Sequence, residues 1–125
     1  MQYIETSNKS VQEIVDAIKE IASKYSFGVQ HIYNLQETLQ NKGKNLDEEC
    51  QIVDICNPNF AETFLNEDIS LSCILPCKIA VYTKDKQTHI VLNSLAQLVD
   101  DINPDLTDIA IEVQEQLLAI IDEVK

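Results

Sequence analysis

The chain has 125 residues, 45% of them hydrophobic, with 21 Asp and Glu set against nine Lys and no Arg, for a formal net charge of −12. Such a surface repels phosphate backbones and anionic lipid. Without Arg it also lacks the planar fork that reads guanine or phosphate bidentately, so nucleic acid and membrane surfaces are poor partners. The length suits a single domain, residues 1–125, with one core.

No apolar run approaches the roughly 18 residues of a spanning helix, and Met1–Glu5 lacks the basic flank and apolar stretch of a signal peptide, so a cytosolic setting is expected. In that compartment Cys50, Cys56, Cys73 and Cys77 are expected to be reduced unless they are catalytic, redox-sensing or metal-bound.

In chain order, Gln2 to Thr6 reads as a short strand. Ser10-Val11-Gln12-Glu13 is a capping box that opens a helix whose Val11, Ile14, Val15, Ile18, Ile21, Ala22 and Tyr25 share one face. Phe27 to Leu35 alternates, which predicts a half-buried strand with Phe27, Val29, His31, Tyr33 and Leu35 on its apolar side. A short helix over about Gln36 to Lys42 stops at Gly43. Cys50 to Cys56 is a nearly continuous apolar run that suggests a strand buried on both faces. Asn57 then caps a helix with Pro58 in its first turn and Phe60, Ala61, Phe64 and Leu65 as its buried stripe.

Pro76 introduces a strand over about Cys77 to Thr83, Asp85-Lys86 turns the chain, and Thr88 to Asn93 returns as a hairpin partner. Asn103-Pro104 repeats the cap-plus-proline device and opens the terminal helix, with Asp105 and Asp108 near the positive end of its dipole. Ile111 and Leu118 widen the apolar face of that helix, as extra core or as a contact through which two copies form a homodimer. The expected fold is α+β: a two-layer sandwich with about five strands in a mixed sheet, helices packed on it, and the order β-α-β-α-β-α-β-β-α.

Phe27-Gly28-Val29, the Lys42-Gly43 break, Cys56-Asn57-Pro58, Leu75-Pro76-Cys77 and the run from Asn103 to Ile121 together give the chain a likeness. It resembles the bacterial and archaeal domain-of-unknown-function family 302 over roughly residues 10 to 122. The resemblance implies a small α/β sandwich that often associates with itself, and it implies no activity. Lys78 stands where the family commonly has Arg after the second cysteine. Leu95-Ala96 stands where a Pro usually follows the last strand. An anion site built on that Arg would here have a point charge in place of a planar fork.

Cys56 and Cys77 form the candidate thiol site. A helix start just after Cys56 favours its thiolate, so it is expected to be the most acidic of the four. Cys77 begins a strand on the parity of Ile79 and Val81, and if the two strands pair the thiols meet near one sheet edge. Two small buried side chains filling space would look the same in sequence. Asn57, Pro58, Pro76, His31, Asp54 and Lys78 complete the candidate pocket. His31, expected on the apolar face of its strand, is either a hydrogen-bonded core residue or a base for a thiol. His89 is expected to face solvent. Asp54 interrupts an apolar strand and either faces a polar cleft or marks where the strand leaves the core.

The cysteine spacings, six for Cys50 and Cys56 and four for Cys73 and Cys77, are not the short knuckle of structural zinc, so no metal is expected. With Gly28 and Gly43 as the only glycines, a Gly-rich phosphate loop is absent and nucleotide binding through such a loop is excluded, which leaves any cofactor unknown. Two functions of different class fit these residues. One is a binding or assembly module with a ligand pocket near Cys56 and Cys77, and the other is a thiol-dependent redox or sulfur-transfer protein using the same pair.

Overall fold

A computed structural model describes residues 1–125. Five strands, β1 (Gln2–Ser7), β2 (Gly28–Asn34), β3 (Cys50–Cys56), β4 (Cys77–Lys84) and β5 (Gln87–Asn93), form one sheet in the order β1-β5-β4-β3-β2. All four pairings are antiparallel, which corrects the expected mixed sheet. The reason lies in the connections. Ile55 pairs with Cys77, so the chain between β3 and β4 leaves and returns at the same end of the sheet instead of crossing over it.

Helices α1 (Val11–Ile21), α3 (Pro58–Glu67), α4 (Leu95–Ile102) and α5 (Thr107–Val124) contribute their buried residues to a single core on one sheet face. No helix is long and apolar enough to cross a membrane. Val53, Ile55, Ile79, Val81 and Ile90 face α1 and α5 residues such as Ile14, Ile18, Leu117 and Ile120, and all of them are excluded from solvent. This burial of apolar surface is the main stabilising term of the fold.

Local signals set the ends of these elements. Ser10 Oγ accepts from Glu13 N while the Glu13 carboxylate accepts from Ser10 N, both at 3.1 Å, so the capping box at the start of α1 is complete. The short helix α2 (Leu35–Asn41) ends in Gly43 at φ 72°, with Gly43 N donating to Gln40 O and Lys44 N to Leu39 O, a Schellman closure. Asp85 and Lys86 both have positive φ, 52° and 63°, the geometry of a tight hairpin turn that follows strand twist.

Three expectations are corrected here. A bulge between Val29 and His31 adds one residue to β2, so Val29 and Ile32 both face the core while His31 and Tyr33 turn outward and are exposed. Uninterrupted alternation had placed His31 and Tyr33 on the apolar side. Second, Leu95–Ile102 is a helix that the expected element order lacks. Ser94 Oγ accepts from Gln97 N at 3.2 Å to cap it. Third, Asn103 and Pro104 open a single 3-10 turn, Pro104–Leu106, and the terminal helix proper begins at Thr107. Leu118 packs against the core, which leaves Ile111 as the exposed apolar residue of the pair expected to widen that helix.

Candidate functional site

The end of the sheet where β3 gives way to α3 and β4 begins brings several candidate residues together. Cys56 closes β3 and is half-buried; Cys77 opens the neighbouring strand and is buried, 8% exposed. Asn57 fixes the junction through both ends of its amide. Its Oδ1 accepts from Asn59 N at 3.1 Å, capping α3, and its Nδ2 donates to Tyr25 O at 3.3 Å, tying α3 to the end of the first helical segment. Cys56, Asn57, Pro76 and Cys77 line one crevice with Phe60 and Phe64, but its volume is about 10 Å³, room for no more than one water. Pro58 starts α3 on the exposed side and does not line it.

The thiols are the reverse of what the helix start predicts. Burial pushes the Cys56 thiol up, and it pushes Cys77 up to about 12, with the neighbouring Cys56 adding to the effect. Cys50 is pushed up by burial as well. Withdrawal from water disfavours the thiolate at each of these positions. All four cysteines are free.

A larger groove lies on the other side of Cys77, with a volume of about 260 Å³. Ile74, Leu75 and Pro76 line it from the segment that leads into β4, Leu92 from β5, and Leu95 and Leu98 from α4. Cys73 and Cys77 add sulfur to the lining, and Lys78 and Asn93 supply its polar groups. The Leu75–Pro76 peptide in this wall is cis. Asn93 Oδ1 accepts from Gln2 Nε2 at 3.1 Å, and its side-chain N–H groups donate no hydrogen bond within the chain.

Helix α4 forms a wall of the groove because a buried glutamine holds it there. Gln114 of α5 accepts from Ser94 Oγ at 2.8 Å and from Ala96 N at 3.0 Å, and it donates to the Tyr3 hydroxyl at 3.0 Å. Neither α4 nor Gln114 is part of the sequence expectation, though both leave a signal. Ser94-Leu95-Ala96-Gln97 has the spacing of a capping box, and Gln114 occupies the same helical stripe as Ala110 and Leu117.

The other candidate residues lie on the far face of the sheet. Asp54 is buried there, 6% exposed, and accepts from Lys78 Nζ at 2.7 Å. It therefore faces a polar partner and does not mark the end of a strand. His31 sits opposite Asp54 in register, exposed, with its ring 4.2 Å from that of Tyr33. It makes no hydrogen bond to a thiol, so no Cys-His pair is assembled. His89 stacks on Tyr82 at 5.4 Å on this same face. No group of three or more His, Cys, Asp or Glu side chains is placed to hold a metal ion.

The family described as Domain of unknown function DUF302 matches residues 3–124. A crystal structure of an uncharacterized conserved protein DUF302 from Bacillus stearothermophilus is similar throughout, with 30% sequence identity and a TM-score of 0.94. The match covers 99% of this chain and 98% of that chain. No curated protein matches.

Proposed function

The chain belongs to the DUF302 family, and from the groove beside Cys77 we propose a small non-catalytic binding module that takes a compact apolar molecule carrying one anionic or hydrogen-bond-accepting group. The observation that carries this proposal is a groove of about 260 Å³ with leucine, isoleucine and proline walls and polar groups from Lys78 and Asn93. Ligand pockets combine mostly apolar lining with a few placed polar groups, and this volume, just under the usual range of roughly 300–1,000 Å³, suits a fragment-sized molecule. The apolar part packs between Leu75 and Leu98, and the acceptor meets the free amide of Asn93 or the ammonium of Lys78.

Thiol chemistry by Cys56 and Cys77 is the competing function. It requires a thiolate near neutral pH, and burial works against one at both positions. In the binding module the Cys77 sulfur is a neutral, polarizable wall atom of the groove, and Cys56 packs in the crevice beside it.

Titration of the ¹⁵N-labelled protein with benzoate and with hexanoate tests the proposal. Amide shifts should concentrate at Leu75, Cys77, Lys78, Leu95 and Leu98, and the variant Leu98→Trp, which fills the groove, should abolish them. Shifts scattered over the surface, or undiminished in Leu98→Trp, would overturn it.

A further inference from the structure

We propose that the molecule taken by the groove is an apolar α-amino acid, with its carboxylate at Lys78 and Asn93 and its ammonium at Asp54. The proposal rests on the binding groove beside Cys77 and adds to it a second recognition point of opposite charge. A polar row crosses the open face of the sheet, the face opposite the helical core. His31 pairs with Asp54, Asp54 with Lys78, and Asn93 with Gln2. Lys78 and Asn93 each stand one residue beyond the Ile79–Leu92 pair, which sets them side by side on adjacent strands. Both also line the groove, so the row meets the groove at these two residues.

Each side of Lys78 lacks a partner of a different kind. On one side Asp54 is buried, and its Oδ1 accepts from Lys78 Nζ at 2.7 Å while its Oδ2 accepts no hydrogen bond within the chain. No fully buried side-chain oxygen is left without a partner, so Oδ2 still reaches solvent. An ionised carboxylate only accepts, and one drawn out of water with lone pairs unfilled is costly, so Oδ2 calls for a donor. On the other side Asn93 has the opposite need, since its side-chain N–H groups donate to nothing in the chain. Adjacent strands lie about 4.8 Å apart, close enough for one small polar head over Lys78 to meet both.

Charge decides the class of that head. Asp54 and Lys78 neutralise one another. A plain carboxylate adds an uncompensated negative charge to this pair on a chain that already carries −12, and a plain amine competes with Lys78 for Asp54. A zwitterion adds no net charge. Its carboxylate accepts from Lys78 Nζ and Asn93 Nδ2, its ammonium donates to Asp54 Oδ2, and the four charges alternate in sign around a closed ring. With the head held there, the side chain enters the groove between Leu75 and Leu98, whose volume of about 260 Å³ suits an aliphatic chain of leucine size.

Titration of the ¹⁵N-labelled protein with free leucine and with isocaproate, its analogue without the amino group, isolates the role of Asp54. Leucine should bind about tenfold more tightly, the low end of what one hydrogen bond to a charged group contributes. It should shift the amides of Asp54 and Lys78 together with those of Leu75 and Leu98. Isoamylamine, which lacks the carboxylate, should bind more weakly than leucine. In Asp54→Asn the preference for leucine should vanish while isocaproate still binds, which shows that the variant is folded; the wild-type comparison needs no variant. Equal affinity of the wild type for leucine and isocaproate, both in the groove, would overturn the amino-acid assignment and leave the groove as a binding site. A leucine preference undiminished in Asp54→Asn would overturn it too. If no probe shifts the amides of Leu75 and Leu98, the groove falls and the assignment with it.

Discussion

The two faces of the sheet are made by the same strands and differ in what covers them. On the helical face, Val53, Ile55, Ile79, Val81 and Ile90 are fully buried among side chains from α1, α3, α4 and α5. On the open face, an apolar row alternates with rows that carry Asp54, Lys78, His31, His89 and Tyr82. The first arrangement is what folding requires, since it removes apolar surface from water in bulk. The second contributes less to folding and leaves chemically varied groups available for recognition. The groove sits at the end of the sheet where the layers meet, bounded by core leucines and by groups of the open face.

This contrast predicts a graded response to substitution. Phe64→Ala on the helical side should cost about 3–5 kcal/mol, whereas Val91→Ala in the open row should cost about 1–2 kcal/mol, both read from urea denaturation. Equal losses would erase the distinction between the faces. Gln114→Ala should cost about 2 kcal/mol, because it strands the Ala96 N–H and the Tyr3 hydroxyl. It should also loosen the Leu95–Leu98 wall, visible as faster hydrogen exchange in α4 relative to α1.

Cys77 gives the contrast a pH signature. Its folded value of about 12 lies above the ordinary thiol value of 9.0, so its contribution to stability is complete below about pH 9 and is lost as pH rises toward 12. The slope should approach about 1.4 kcal/mol per pH unit within that window, and Cys77→Ala should remove this component. On the open face, Lys78→Met should cost only about 1 kcal/mol. It leaves the buried Asp54 carboxylate without its partner, but the lysine itself is largely exposed and its ion pair is screened. A loss several times larger would move this pair into the structural core.

Much of this architecture is legible in local sequence. The capping box at Ser10, the Asn57-Pro58 helix start, the Gly43 stop and the Asp85-Lys86 turn act over a few residues, and each forms where the sequence places it. What escaped depends on partners distant in the chain. The bulge in β2 reverses the facing of His31 and Tyr33, and nothing in the alternation from Phe27 to Leu35 reveals the extra residue. The strand order likewise rests on distant partners, since β1 pairs with β5, a contact between the first residues of the chain and residues near 90.

The candidate site was legible in part for the same reason. Cys56, Cys77, Asn57 and Pro76 do converge at one sheet end, because each is tied to an element boundary that the sequence marks. His31 and Asp54 belong to the opposite face, and Cys56 is buried by neighbours distant in the sequence, which raises its thiol where a helix start alone would lower it. The groove itself needed α4 in place, and α4 is held by Gln114 from the far end of the chain.

The central claim, that Cys77 is a protonated wall atom of the binding groove and Cys56 a protonated residue of the packed crevice beside it, is tested most directly by the alkylation rate of each thiol in the native protein, measured by mass spectrometry from pH 7 to 10. The exposed Cys73 should label first and Cys77 last, with the Cys77 rate rising about tenfold per pH unit without a plateau, as expected of a thiol that titrates near 12. Labelling of Cys56 or Cys77 at pH 7 as fast as Cys73, or a Cys56–Cys77 bridge after mild oxidation, would contradict the account and return the pair to thiol chemistry.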